Sequence, residues 1–292
     1  MNISSPLQIL WGQLPWLLAG AGLGLWLVPL ARIIPRKVLQ SAKVPLNAWQ
    51  GPGGGLEQPI PAARRIWVPM VNTSMWAYVA NSVSHPAFQA VLLWACLAST
   101  LLLLALIDWD STLLPDWVVL PLGVVGLASS YAGFTPHSLF VSALSAAVVL
   151  GLLGGLAWLF RRIKGESGIG GGDLKLLAAL ATWWGIVGVL YIVLWASVVT
   201  VLWYVVWRRF KGLGPQAEWP FGPAIVVAAL AWGLQTAYLP TQLDADSYHG
   251  PKRTALPTLQ EQVESECQAL QTYSARVIEA AVRIETEGYA IR

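Results

Sequence analysis

Charged residues are scarce in this chain of 292 residues, since Lys, Arg, Asp and Glu together make up only 11% of it. Soluble globular proteins contain about 25%, so the composition excludes an ordinary soluble enzyme. Hydrophobic residues form 56% of the chain, and the mean hydropathy is +0.58. Uncharged runs such as 90–107 and 190–207 reach the length of about 18 to 20 residues that spans a bilayer. The sequence therefore predicts an all-α, polytopic membrane protein.

Cysteine is also nearly absent, because Cys96 and Cys267 are the only two. One lies in an apolar run and the other in a distant polar segment, so a disulfide framework and a four-thiolate zinc site are excluded. The net charge of +3 comes from short basic clusters beside apolar runs. Such clusters are typical of topology signals in membrane proteins, and nucleic acid is not an expected partner.

The first apolar run, 7–30, has no basic residue before it, whereas Arg32, Arg36, Lys37 and Lys43 follow it. This pattern lacks the basic start of a cleaved signal peptide, so the run is expected to remain as a first transmembrane span. The positive-inside rule places the N-terminus outside and the following loop, 31–65, in the cytoplasm. Residues 66–239 form the predicted transmembrane core.

About eight spans are expected. Further spans are predicted at 66–82, 87–107, 117–134, 138–160 and 220–238. Residues 174–207 have basic flanks on both sides and contain Trp183-Trp184-Gly185. Two short spans that turn near Gly185 are the favoured interpretation, and one long tilted helix is the alternative. Tryptophans near span ends, including Trp117 and Trp183, are interpreted as interfacial anchors.

The polar segment 240–292 contains a predicted amphipathic helix that begins near Thr258 and Glu261 with the form of a capping box. One interpretation is a helix that folds back on the protein or on the membrane surface. The other is a contact with a protein partner or with a second copy of the chain.

Acidic residues are rare in the membrane portion, and ionisable groups there are costly enough to suggest a function. Asp108, Asp110 and Asp116 follow one apolar run, and Asp173 follows the glycines 170–172 at the start of another. The predicted topology places both groups at the cytoplasmic face. Two facing carboxylates can divide the work of hydrolysis, because one keeps a proton while the other acts as a base. Glycines beside an acid allow a substrate backbone to approach closely.

Each of these residues also has an interpretation without catalysis. Asp116 is well placed to cap the helix that follows it, and Asp110 fits a solvated loop. The glycines 170–172 fit a flexible turn. Lys175 either extends towards the interface or lowers the cost of charge on Asp173. His85, His137 and His249 fall in predicted turns or in the tail.

Two motifs together resemble those of the type IV prepilin peptidases, which are bacterial leader peptidases of the GxGD aspartic protease class. The first runs from Ile107-Asp108-Trp109-Asp110 to Leu114-Pro115-Asp116, and the second, about 65 residues later, is Gly168-Ile169-Gly170-Gly171-Gly172-Asp173-Leu174-Lys175. The resemblance covers approximately 85–238. It implies an eight-span inner-membrane endopeptidase that removes the basic leader of prepilins and pseudopilins on the cytoplasmic side.

The resemblance also assigns roles to residues. The catalytic pair falls on Asp108 and Asp173, which would activate water without a metal or a covalent intermediate. The supporting residues are Gly170, Gly172, Asp110, Asp116 and Lys175. Asp110 and Asp116 match positions of the family's motif that are not the catalytic acids.

One departure from the family concerns the loop 31–65, which contains no cysteine. Many members carry two Cys-x-x-Cys pairs there and also methylate the new pilin N-terminus with S-adenosylmethionine. A zinc-bound loop is thus excluded, and S-adenosylmethionine is an expected cofactor only if methyltransferase activity persists. Two alternatives remain for the whole protein: a proton-coupled transporter that uses the same carboxylates, and an inactive scaffold for pilus or secretion assembly.

Overall fold

The computed structural model describes residues 6–45, 55–82, 88–165, 170–211 and 220–238. In these ranges the chain forms seven α-helices and no strand, which confirms the all-helical class. The helices are α1 (Pro6–Ser41), α2 (Arg64–Ser82), α3 (Phe88–Ser111), α4 (Asp116–Tyr131), α5 (Leu139–Lys164), α6 (Gly171–Lys211) and α7 (Gly222–Tyr238). The predicted tail helix, Cys267, His85 and His249 lie outside the described residues.

Four segments are long and apolar enough to cross a membrane: Gly12–Ser41, Phe88–Ser111, Leu139–Lys164 and Gly171–Val206. Two further apolar helices, Asp116–Tyr131 and Gly222–Gly233, are shorter. The chain is therefore a membrane protein by the length and composition of its helices. The count of eight spans stays a prediction.

The predicted loop at 31–65 begins too early, because α1 continues to Ser41. Basic residues there suggested the end of a span. In the structure Arg32 is buried, and its guanidinium donates to Asp110 of α3 and to the carbonyl oxygen of Gln58. Those partners allow a charged residue to remain on a helix inside the protein.

The predicted turn near Gly185 is present within α6. Gly185 has φ 66° and ψ −178°, a conformation that is essentially restricted to glycine. A Cβ atom at this position would lie 2.9 Å from Nε2 of His137, which belongs to the connection between α4 and α5. The chain thus changes direction at a site where no side chain fits.

Ring contacts with α3 show that α6 reverses at this turn. Trp184 packs near Trp94 with ring centroids 6.2 Å apart, whereas Trp203 packs near Trp109 at 5.3 Å. Trp94 and Trp109 lie on the same helix about 22 Å apart at 1.5 Å per residue. The part of α6 after Gly185 therefore runs back towards the C-terminal end of α3.

Helix α3 contributes to two separate hydrophobic cores. Residues three or four apart share a helix face, and Leu97, Leu101 and Leu104 lie in a core with α4, α6 and α7. Leu103, Leu106 and Ile107 lie in a second core with α1 and α2. Asp108 continues the first face and Asp110 continues the second. The spacing of these acids along α3 thus directs them to different groups of helices.

The interpretation of tryptophans as interfacial anchors is wrong for Trp183 and stays a prediction for Trp117, whose side chain is exposed. Trp183 is buried in the core, and its Nε1 donates to the carbonyl oxygen of Leu122 at 3.1 Å. The reversal at Gly185 explains the difference, because it carries Trp183 into the centre of the helical bundle.

Candidate active site

Asp108 lies in the last turn of α3 and is only 4% exposed. Its Oδ2 accepts a hydrogen bond from the backbone N–H of Gly222 at 3.0 Å. Gly222 is the first residue of α7, so the positive end of the helix dipole faces the carboxylate. The chain leaves α3 at Thr112, whose φ is 50°. The acid therefore lies at the end of an apolar helix and is held by the start of another.

Asp173 lies in the first turn of α6. Its Oδ1 is buried and has no hydrogen-bonding partner among the described residues. A Cβ atom on Gly170 would lie 2.8 Å from Oδ2 of Asp173, and one on Gly172 would lie 2.9 Å from Cβ of Leu114. The glycines thus let the backbone lie close to the acid and let the start of α6 approach the segment that follows α3.

The structure brings the two predicted catalytic acids together, although they are 65 residues apart in the chain. Asp173 is near enough to Asp108 to act on its carboxylate electrostatically. A negative charge near a second carboxylate makes that carboxylate harder to ionise. General acid/base chemistry by two carboxyl groups needs one of them protonated and the other ionised.

Asp116 and Lys175 form an exposed ion pair beside this site. Nζ of Lys175 donates to both carboxylate oxygens of Asp116 at 2.8 Å, and both side chains are about half exposed. The N-cap of α4 is Pro115, and no side chain caps the helix, so the interpretation of Asp116 as a cap is wrong. Lys175 pairs with Asp116 and makes no ion pair with Asp173 in the described structure.

Asp110 is fully buried, so its interpretation as a solvated loop residue is wrong. Its Oδ2 accepts from Nε of Arg32 and from Nη1 of Arg64, both at 2.6 Å. Its Oδ1 accepts from Nη2 of Arg64 at 2.8 Å. Asp110 therefore joins α1, α2 and α3 and lies on the face of α3 that is turned away from the acid pair.

Sequence reasoning missed three residues of this region: Gly222, Arg32 and Arg64. The signal for Gly222 was the run Pro220-Phe221-Gly222-Pro223 directly before the last apolar segment. Glycine is needed there, because a Cβ atom would lie 2.6 Å from Oδ2 of Asp108. Arg32 was interpreted only as a topology signal, and Arg64 only as the end of the loop 31–65.

The described ranges contain no group of three or more His, Cys, Asp or Glu side chains that could hold a metal ion. His137 lies beside Gly185 at the reversal within α6, whereas Asp173 lies in the first turn of that helix.

Comparison with known families gives a match to one part of this architecture. Residues 95–205 match the type IV leader peptidase family. The chain belongs to this family. The matched region contains most of α3 and extends into α6, and it includes both Asp108 and Asp173. Helices α1, α2 and α7 lie outside it.

Several curated relatives support membership of the leader peptidase family. They carry the name prepilin leader peptidase/N-methyltransferase, and the matched part is 36% identical over 134 residues in Xanthomonas campestris and 38% over 142 residues in Pseudomonas aeruginosa. These matches cover 44% and 46% of this chain and 45% and 47% of the relatives. A relative from Aeromonas hydrophila is 32% identical over 206 residues, which is 65% of this chain and 66% of that protein.

The chain thus spans about half the length of the first two relatives. No solved structure matches it. Membership of the type IV leader peptidase family confirms the family that the paired aspartate motifs predicted.

Proposed function

We propose that this protein is a membrane-embedded aspartic endopeptidase that removes the N-terminal leader of prepilins or pseudopilins, with Asp108 and Asp173 as its acid/base pair. The observation that carries the proposal is the convergence of these two acids from α3 and α6 at the ends of apolar helices. Membership of the leader peptidase family and the names of the relatives support the substrate class.

The reaction needs one ionised and one protonated carboxyl group. The ionised group takes a proton from water while the water oxygen attacks the carbonyl carbon of the peptide bond. The protonated group then donates its proton to the leaving nitrogen, and the C–N bond breaks. One water molecule is consumed, and no covalent intermediate, metal or S-adenosylmethionine is required for hydrolysis.

The surroundings of the pair suit a peptide substrate. Gly170 lies against Oδ2 of Asp173 without a side chain of its own, and glycine allows a close approach of backbone that a side chain would block. Polar backbone at this depth is tolerated where it lines a protein cavity. A substrate helix that unwinds beside the glycines would present one peptide bond to the two acids.

The distribution of basic residues supports a cytoplasmic site in the bacterial inner membrane. Arg161, Arg162 and Lys164 form the last turn of α5, a few residues before Gly170. The positive-inside rule assigns such a cluster to the cytoplasmic side. The leader of a membrane-inserted prepilin would then meet the acid pair from the cytoplasm.

The test is co-expression with a tagged prepilin, followed by the mass of the product. The variants Asp108→Asn and Asp173→Asn should each lower the rate of leader removal by at least about 10² to 10⁴-fold, the range that general acid/base groups contribute. Asparagine keeps the size of the side chain but neither accepts nor donates the proton. A methyl group on the new N-terminus would appear in the same mass and would show that methyl transfer accompanies cleavage.

Asp116→Asn is the matched control, because this acid is exposed and pairs with Lys175. It should cleave at close to the wild-type rate with equal membrane insertion. Cleavage by Asp173→Asn at a rate comparable to wild type would reject the assignment. Proton-coupled solute uptake without cleavage would favour a transporter, and prepilin binding without turnover would favour a scaffold.

A further inference from the structure

The buried cluster of Asp110, Arg32 and Arg64 has no part in the proposed proton transfers, yet it lies within one helical turn of Asp108. Burying charged groups is costly unless each is paired and hydrogen-bonded. Here both oxygens of Asp110 are used, by three hydrogen bonds of 2.6 to 2.8 Å. Because the three residues belong to three different helices, the cluster fixes α1 and α2 to the end of α3.

Arg32, together with Arg36, also holds the segment before α2. Nη1 of Arg32 donates to the carbonyl oxygen of Gln58 at 2.5 Å, and Nη2 of Arg36 donates to the carbonyl oxygen of Leu56. The guanidinium of Arg32 thus joins Asp110 and the 55–58 segment at once. A planar group with several donors in a fixed geometry is suited to this double contact.

The end of α3 depends on side-chain contacts for its position. The helix ends at Ser111, and Thr112 adopts a left-handed conformation directly after it. Asp108 and Asp110 are two residues apart, so they project about 200° apart around the helix axis. One side of the last turn is therefore held through Asp110, while the other presents Asp108 to Gly222.

We infer that Asp110 is a positioning residue: with Arg32 and Arg64 it fixes the last turn of α3 so that the Asp108 carboxylate faces α7 and Asp173. The inference rests on the proposed function. It assigns to α1 and α2, which lie outside the matched family region, a share in the geometry of the acid pair. A displacement of about 1 Å in such a site can lower a rate about 100-fold.

The first test measures kcat and KM for prepilin cleavage by the purified full chain in lipid. Asp110→Asn should lower kcat by about 100-fold and leave KM nearly unchanged, because substrate still binds while Asp108 is misplaced. Arg32→Lys keeps the buried positive charge, but one ammonium cannot reproduce the two guanidinium contacts. Arg32→Lys should therefore show a smaller loss of kcat than Asp110→Asn. If Asp110→Asn does not fold, Arg32→Lys is the variant that tests the inference. Arg36→Lys is the control, because Arg36 donates to the carbonyl oxygen of Leu56 and makes no hydrogen bond to Asp110 in the described part of the chain.

The second test measures how closely the end of α3 approaches the start of α7, and it does not depend on catalysis. A Cβ atom on Gly222 would lie 3.1 Å from Cβ of Asp108, close to the separation of about 3.5 to 4.5 Å in disulfides. A chain with Asp108→Cys and Gly222→Cys, and with Cys96→Ser and Cys267→Ser, should cross-link rapidly under mild oxidation. Adding Arg32→Lys or Asp110→Asn should slow the cross-link several-fold.

The two tests separate the possible failures. An unchanged cross-linking rate, or a loss of kcat that follows only the melting temperature, would overturn the positioning role. If the wild-type chain cleaves no prepilin but the cross-link still depends on Asp110, the proposed function fails while the positioning of α3 stands.

Discussion

Gly222 contacts Asp108 through its backbone N–H and has no room for a side chain of its own. Its N–H donates to Asp108, and a Cβ atom there would lie 2.6 Å from the oxygen that accepts this bond. Gly222→Ala should therefore displace the carboxylate and lower kcat for leader cleavage by about 100-fold. The measurement is the rate of product formation with saturating prepilin.

The control for this variant is Gly155→Ala, because a Cβ atom at Gly155 in α5 meets nothing within 4 Å. Its rate should remain close to wild type. An active Gly222→Ala protein would mean that the α7 terminus does not hold Asp108 during the reaction.

The sequence predicted the acid pair and missed its partners for a physical reason. Asp108 and Asp173 stand out because a carboxylate beside an apolar run is expensive and needs an explanation. The partner of Asp108 is a backbone N–H, which every residue except proline carries. The residue type therefore does not show which N–H is the partner. Arg32 and Arg64 are visible in the sequence as charged residues, but a basic residue beside an apolar run fits a topology signal equally well.

At the scale of elements, α6 depends on the reversal at Gly185. The φ of 66° and ψ of −178° belong to a region that costs other residues of the order of 1 to 3 kcal/mol. Gly185→Ala should lower the free energy of unfolding by about that amount, because a Cβ atom would also lie 2.9 Å from Nε2 of His137. Thermal unfolding in detergent measures the change.

Gly151→Ala separates this effect from a general response to a larger residue. Gly151 lies within α5, and a Cβ atom there meets nothing within 4 Å. Alanine favours helix by up to about 1 kcal/mol over glycine, so this variant should be neutral or slightly more stable. Equal destabilisation of the two variants would contradict the strained turn.

Elements were predicted best where hydrophobicity alone determines them. The apolar runs located the helices, and the basic flanks of 174–207 correctly indicated a turn near Gly185. The end of α1 was missed because charged residues such as Arg32 and Arg36 usually lie in water, which suggested that the helix had already ended. Their partners come from α3 and from the 55–58 segment, and such long-range partners are invisible in a local pattern.

At the scale of the whole molecule, α3 packs against two groups of helices, and the family match covers only part of them. The matched region extends from α3 into α6 and contains both acids, whereas α1, α2 and α7 lie outside it. Those outer helices supply Arg32, Arg64 and the N–H of Gly222. A chain truncated to the matched region would keep both acids and lose the contacts that hold Asp108 from either side.

The orientation of the molecule can be tested at two matched glycines. Gly133 and Gly165 lie beyond the two ends of α5, with φ of 77° and 79°, and a Cβ atom on either meets nothing within 4 Å. A cysteine at a positive φ is strained, and the strain should be similar at both positions, in a chain with Cys96→Ser and Cys267→Ser. Because the basic last turn of α5 precedes Gly165, the positive-inside rule predicts that Gly165→Cys faces the cytoplasm and Gly133→Cys the outside.

A membrane-impermeant maleimide added to intact cells should then label Gly133→Cys and spare Gly165→Cys, and opening the membrane should make both react. The acid pair belongs to the Gly165 side, because Asp173 lies in the first turn of α6 a few residues further along the chain. Labelling of Gly165→Cys in intact cells would put the two acids on the outside. A cytoplasmic leader would then be out of their reach, although the arrangement of the acids within the helical bundle would be the same.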